Sequence, residues 1–288
     1  MTLLTNLYSG LYQFGDNLAF LVLAALGLAV IFGMMGVINL AHGELVMCGA
    51  YVTIVAAKAG VPLAIAMALG TAAAAAAGAI AERLVIRHLY QRPADSVVAT
   101  WAISLIVQQC MLLACGPSIE GISTPFGSFE LGGLSFSTYR AVLPLFAIGV
   151  LGVLYVLLFH TDYGVSARAT ILNARMASCL GLRTERIYAT TFALGAALAG
   201  LAGAVYAPTM TAVPTMGSSF IIQAFVTVVV GGANVLVGVV PAAAALSVIQ
   251  TALTAFYGQL IGQIGLLLTV ILVIRLLPQG VSSLLTRR

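Results

Sequence analysis

Residues 36–51 read GVINLAHGELVMCGAY, and within six positions of this apolar run stand an amide, an imidazole and a carboxylate: Asn39, His42 and Glu44. A charged group at the centre of a bilayer costs roughly 2.5–3.5 kcal/mol on insertion scales, so a carboxylate placed there requires partners or a task. Two chemistries fit the trio. The three groups satisfy one another as a structural network, or they line a polar pathway, with Asn39, His42, Gly43 and Glu44 facing the solute. Enzymatic chemistry is not expected. HGELV lacks the HExxH spacing that sets two imidazoles on one helix face, and no GxSxG elbow or second buried carboxylate accompanies Glu44, so neither a catalytic residue nor a metal site emerges.

A second polar stripe lies further along. Thr100, Ser104 and Gln108 fall at i, i+4 and i+8, on one face of a helix that also carries Gln109, and that face is expected to look into the bundle. Ser and Thr hydroxyls also bond back to their own helix carbonyls, which leaves a purely structural role open. The i, i+4 pattern returns at Gln223 and Thr227, and at Gln250 and Thr254.

The elements that must hold these residues are membrane helices. Of 288 residues, 61% are hydrophobic and 7% charged, with a mean hydropathy of +1.12, against about a quarter charged in soluble domains. Apolar runs bounded by Gly, Pro and charge place spans near 18–36, 43–58, 62–82, 96–115, 141–159, 187–207, 218–232, 237–257 and 260–277, the second and seventh short for full crossings. The expected fold is all-α and polytopic: a single transmembrane domain over 1–288 with eight or nine transmembrane helices and a broken or re-entrant helix near 36–44. Gly36, Asn39 and Gly43 suggest a junction of two half-helices, capped by Asn39 or His42, with Glu44 in the first turn, where free amides and the helix dipole stabilise negative charge. On this reading Glu44 is the one acidic residue that is neither at a membrane boundary nor in a loop.

Charge placement gives orientation. Arg83, Arg87 and Arg92 share one loop, Arg168, Arg175, Arg183 and Arg186 another, and Arg275, Arg287 and Arg288 the end, which puts ten of twelve basic residues inside and the N-terminus outside. The net charge of +4 thus reports sidedness and not nucleic-acid binding. The first fourteen residues carry no Lys or Arg, so a cleaved signal peptide is not expected. Cys48, Cys110, Cys115 and Cys179 form no CxxC pair and read as small apolar packers. Small residues at four-residue spacing, Gly70, Ala74 and Gly78, then Gly195, Ala199 and Gly203, let helices approach closely, within the bundle or between subunits.

No GxxxxGK[ST] loop is present, so any ATP is handled by another chain. The loop 160–186 is the longest cytoplasmic segment. Its residues 166–180 are expected to form one short helix, with Ile171, Leu172, Met176 and Leu180 on or near an apolar face and Arg168 and Arg175 outward. Such a helix ending at Gly181 lies in the membrane interface or docks in a groove on a cytosolic protein.

Three stretches carry a resemblance. GVINLAHGELVMCGAY, RATILNARMASCLGL followed by RIYATTFALGAALAGLAGAVYAP, and FIIQAFVTVVVGGANVLVG, in this order, resemble the signatures of the bacterial branched-chain amino acid ABC importer permeases, a family that includes urea and short-amide importers. The resemblance implies a multi-pass permease of the bacterial inner membrane that pairs with a second, similar permease as a heterodimer. Two cytosolic ATPases, which hold ATP and Mg, and an extracytoplasmic binding protein complete the assembly; this chain itself holds no cofactor. It further implies that Arg168 to Gly181, including Asn173, Arg175 and Ala177, couples to an ATPase, and that Asn39, Gly43 and Glu44 belong to the pore region. The implied activity is alternating-access import of a small neutral polar solute, urea, a short amide or a branched-chain amino acid. The alternative is a stand-alone channel or ion-coupled carrier with Glu44 and His42 as its selectivity or proton-coupling pair. Two departures stand out: Arg175 occupies a position that is often acidic in the family, and Gly231-Gly232-Ala233-Asn234-Val235 replaces a Gly-Gly-x-Gly-Ser pattern. TWAISLIVQQ and MGSSFIIQAF resemble the urea and amide branch more than the leucine branch.

Overall fold

The computed structural model describes residues 2–90, 92–232, 235–276, 280 and 282. Among the described residues there are eleven α-helices: α1 (Thr2–Met35), α2 (His42–Lys58), α3 (Leu63–Leu84), α4 (Pro93–Cys115), α5 (Thr138–Phe159), α6 (Asp162–Leu172), α7 (Ala174–Cys179), α8 (Thr184–Tyr206), α9 (Met216–Gly231), α10 (Val235–Tyr257) and α11 (Gln259–Leu276). Short 3-10 turns follow α3 and α8. The protein is an all-α polytopic membrane protein. Seven helices among the described residues, α1, α3, α4, α5, α8, α10 and α11, are long and apolar enough to cross a membrane. The segments expected as the second and seventh spans are α2 and α9, at 17 and 16 residues shorter than the roughly 20 that a crossing needs. They are half-helices, and each is reached by a non-helical lead-in, 36–41 and 210–215.

The lead-in to α2 follows from local sequence. Gly36 takes φ +65, a left-handed conformation that ends α1 cheaply only at glycine. The chain then turns back into the bundle, because His42 docks on the carbonyl of Ala24, eleven residues up α1 from Met35, or about 16 Å at 1.5 Å per residue. Six residues in extended form span about 20 Å, enough for the return. A broken helix at this depth is tolerated because Val37, Asn39 and Ala41 are buried in protein and not exposed to lipid.

The packing core runs along α1, α2, α3 and α8. The expected small-residue ridges both pack inside the chain, though not on each other: a methyl added at Gly78 would collide with Ala196 and one at Gly200 with Ala74, whereas Gly195 faces Ile31 and Gly27 of α1 and Gly203 faces α2. Gly49 and Gly203 are pinned against the backbones of Gly200 and Val46, so α2 and α8 cross at backbone distance. By contrast, α4 is mostly exposed and packs chiefly on α2 and the 3-10 turn after α3.

The two basic loops share a side, as their charge implies: Arg87 and Glu185 form an ion pair at 2.5 Å. At the opposite end, Tyr12 donates to the Ser137 carbonyl and Arg140 pairs with Asp16 at 3.1 Å. The loop between α4 and α5 also contains structure that an all-α expectation omits, an antiparallel hairpin of β1 (Ser128–Leu131) and β2 (Leu134–Ser137) turned by Gly132 and Gly133.

Candidate functional site

Glu44 sits where two half-helices meet head to head. It occupies the first turn of α2, and its side chain lies against Gly217, in the first turn of α9. A methyl at Gly43 would overlap the Gly217 carbonyl, so only glycine lets the two backbones touch. α2 runs from this junction toward Lys58 and α9 toward Gly231, in opposite directions across the membrane. Both N-terminal ends, each carrying about half a positive charge from aligned peptide dipoles, therefore converge on one carboxylate. Discontinuous helices in this arrangement recur at the central sites of transporters.

The side chains around Glu44 come from α4 and α9. Ser104 Oγ donates to Glu44 Oε1 at 2.9 Å and Gln108 Nε2 donates to the same oxygen at 2.8 Å. Gln108 also reaches Ser104 Oγ and Ser218 Oγ, each at 3.2 Å. Glu44 is only 3% exposed, while Gln108 is half-buried and Ser218 exposed, so the network starts in the protein interior and emerges between α4 and α9. Glu44 Oε2 has no hydrogen-bond partner among the described residues.

Thr100, the third member of the α4 stripe, is buried as expected but works locally. Its hydroxyl donates to the Ser96 and Val97 carbonyls and accepts from the Leu40 amide at 3.0 Å, fastening α4 to the lead-in. Gln109 is exposed and outside the cluster.

Asn39, His42 and Glu44 do not form the mutual network that their spacing allowed. Asn39 Oδ1 turns back to the Ala41 amide at 3.0 Å, and His42 Nε2 lies 2.9 Å from the Ala24 carbonyl, which only accepts, so Nε2 carries the hydrogen. The helix cap is also not the expected one: Ala41 occupies the N-cap position with no side-chain hydrogen bond. Asn39 and His42 thus shape the break, while Glu44 alone joins the polar cluster.

The family profile described as "Branched-chain amino acid transport system / permease component" matches residues 16–277. The chain belongs to the branched-chain amino acid ABC permease family. LivH of Salmonella typhimurium, a high-affinity branched-chain amino acid transport system permease protein, is 27% identical over 276 residues, 90% of either chain. A probable LivH of Methanocaldococcus jannaschii is 32% identical over 227 residues, 74% of this chain and 70% of the relative. The ribose import permease RbsC of Bacillus subtilis is 29% identical over 120 residues, 41% of this chain and 37% of its own. No solved structure matches.

As a permease of this family, the chain is a transport component and not an enzyme. Its 160–186 segment departs from the single helix expected over 166–180. Asn173 is extended (φ −160, ψ 96) and its Oδ1 accepts from the Met176 amide at 2.9 Å, so it ends α6 and caps α7. Asn favours caps over helix interiors because its side chain competes for backbone amides, and that signal marks the break. Arg168 does not point outward: its guanidinium lies 5.0 Å from the Phe159 ring centre and donates to the Leu158 carbonyl, tying α6 to α5. Leu172, Met176, Leu180 and Arg175 are exposed, Ala177 is buried, and Gly181 closes α7 at φ +88.

Several polar residues lay outside the sequence reading. Gly217 and Ser218 had no charge to flag them. Asp16 lies inside α1, because no proline interrupts residues 2–18 and the helix extends to Thr2; it pairs with Arg140, and Tyr206 donates to its carbonyl at 3.0 Å. Glu82, expected at a boundary, is 2% exposed and accepts from Tyr90. Burial, with the Glu82 carboxylate beside it, pushes the Tyr90 phenol well above its ordinary range. Glu44 is therefore not alone among buried acids. Ala233, Asn234, Arg287 and Arg288 lie outside the described residues, and so do the side chain of Val235 and, with these, most of the departure at 231–235.

Proposed function

We propose that this chain is the permease subunit of an ATP-binding cassette importer that moves a small neutral polar solute into the cytoplasm by alternating access, as one domain of the bacterial inner membrane. The observation that carries this reading is the junction at Glu44. A carboxylate held at the meeting point of two opposed half-helices is joined to the chain's surface by Gln108 and Ser218. Such a network has no use in a lipid-facing scaffold, and it suits a route for hydrogen-bonding solutes. The proposed pathway residues are Asn39, His42, Gly43, Glu44, Thr100, Ser104 and Gln108, with Asn39, His42 and Thr100 holding the lead-in that presents Glu44.

The assembly contains a second homologous permease, placed against the open side of α4 and α9 as a heterodimer, two cytosolic ATPases and an extracytoplasmic binding protein. The α6–α7 segment supports the coupling role. Its exposed Leu172, Met176 and Leu180 offer an apolar ridge beyond the bilayer, flanked by Arg175, and the names of the relatives place them in transport systems. Candidate solutes are urea, short amides and branched-chain amino acids, since the LivH relatives are named for transport of the last of these and the polar cluster contains no cationic side chain.

The test is uptake by proteoliposomes that contain the complex of this chain with the proposed partner subunits, co-purified from its host. ATP-dependent accumulation of radiolabelled urea, acetamide or L-valine is expected. Equal uptake by this chain alone without ATP would replace the reading with a channel or carrier.

A further inference from the structure

Gln223 and Gln250 stand out in the sequence yet take no part in the Glu44 cluster. In the fold they meet. With Ser219 of α9 and Gln263 of α11 they line an open cavity of about 160 Å³ between α9, α10 and α11, with Leu266 buried at its base and Ile222 half-exposed at its rim. A single water needs only about 10–15 Å³ by the comparable measure, so the space holds a small solute. Among the described residues, none of the three carboxamides hydrogen-bonds to the rest of the protein, although each offers two donors and an acceptor.

The depth of the cavity sharpens the point. Thr251, next to Gln250, accepts from Asn17 at 3.0 Å, and Asn17 lies about 10 Å along α1 on the outer side of Ala24, where His42 docks. Gly262 lies against the Gln250 carbonyl, so Gln250 and Gln263 share this outer depth, while Gln223 lies six residues, about 9 Å, further along α9 from Gly217, which touches Glu44. The cavity thus spans the depth of Glu44, and Ser219 adjoins Ser218, the exposed member of the Glu44 network. Three unpaired carboxamides facing hydrocarbon would be unfavourable, so the cavity opens to water or to a hydrogen-bonding solute.

We infer that this cavity is a binding station beside the Glu44 network for a net-neutral solute that both donates and accepts hydrogen bonds, an amide or an amino-acid zwitterion. The inference rests on the permease reading for its place on a route, though not for the binding itself. Carboxamides supply both hydrogen-bond senses with no net charge, and no ionised side chain lines the cavity, so a free cation or anion gains no counter-charge there. Ile222 and Leu266 add an apolar wall that tolerates a short aliphatic group.

The experiment uses the assembled complex in membrane vesicles, with Cys48, Cys110, Cys115 and Cys179 replaced. Gln250→Cys and Gln263→Cys are exposed from the outer side to a membrane-impermeant methanethiosulfonate ethylammonium reagent, with Val248→Cys, on an exposed face of the same helix, as the lipid-side control. Labelling of the two cavity positions but not of the control is expected, slowed at least severalfold by urea, acetamide or L-valine and not by guanidinium or acetate. Absence of labelling, or labelling that none of these solutes slows, overturns the station; equal protection by the ions overturns its preference for neutral solutes. Should the cysteine-depleted chain fail to fold, Gln250→Leu and Gln263→Leu in the natural background decide the matter, with a severalfold higher KM for uptake expected and an unchanged KM refuting it. Vesicles of the wild-type complex that show protection but no ATP-driven uptake would sink the permease reading and leave the station standing.

Discussion

Replacing Glu44 by leucine and by glutamine separates the two tasks that the structure assigns to its carboxylate. Leucine removes the acceptor of the Ser104 and Gln108 hydrogen bonds, made at 2.9 and 2.8 Å; half-buried Gln108 keeps Ser218 Oγ at 3.2 Å as an acceptor, so Ser104 is the buried donor left without Glu44. That loss costs about 1–3 kcal/mol. Ser104 recovers part of this by turning its hydroxyl to a carbonyl of its own helix, as Thr100 already does, so the lower half of the range is expected. At roughly 2–4 °C per kcal/mol the detergent-solubilised protein should melt about 2–8 °C lower. Glutamine keeps Oε1 for both donors and puts an NH2 where Oε2 now lacks a partner; the loss is the attraction to two helix N-termini, about 0.3–1 kcal/mol each. Glu44→Gln should therefore melt within a few degrees of wild type, while losing about tenfold in solute uptake, since a charge-assisted bond to the solute is worth about 1.5–3 kcal/mol. The assay is fluorescence-detected thermal unfolding beside ATP-driven uptake in proteoliposomes. A Glu44→Leu protein that melts within a degree of wild type would refute the hydrogen-bond argument, and a Glu44→Gln protein with full uptake would refute pathway contact.

Other substitutions test the frame. Gly203→Val drives a side chain into the Val46 carbonyl at the α2–α8 crossing and should abolish monodisperse protein in size-exclusion chromatography, whereas Gly149→Val, where nothing lies within 4 Å, should leave it intact. Gly181→Val forces a β-branched residue into φ +88 at the end of α7, so solute-stimulated ATP hydrolysis and uptake by the complex should fall while the chain still inserts. Asn173→Ala removes the α7 cap, worth about 0.5–2 kcal/mol, and should raise amide hydrogen exchange at Met176 without lowering the global melting temperature. Glu185→Ala breaks an ion pair whose side chains are 50% and 72% exposed, and thermal unfolding should not register it.

The long apolar runs made the seven spanning helices legible, because in a bilayer the length and hydropathy of a segment dominate every other term. The break near Gly36 was legible for the same reason, since polar residues at that depth demand an irregular backbone. What the sequence concealed was pairing at a distance. Nothing near Glu44 announces that Gly217 will lie against it, because a glycine chosen for close approach looks like any other glycine in a membrane helix. The α4 stripe pointed correctly into the bundle, but periodicity alone does not separate Ser104, which serves Glu44, from Thr100, which serves its own helix and the lead-in. The end of α6 at Asn173 was overlooked where hydrophobic periodicity was followed past a capping residue, and the outer hairpin is too short for its alternation to register against the surrounding apolar background.

The meeting of Gly43 and Gly217 also has a temporal side. The ribosome delivers Glu44 and α4 to the membrane before it has made α9, and about a hundred residues separate Gln108 from Gly217. At about 5–20 residues per second, the acid waits roughly 5–20 s with Ser104 and Gln108 as its companions and no second helix end beside it. During synthesis, then, α4 is the chaperone of this acid, and the later half of the chain arrives at a seat that the earlier half has kept open.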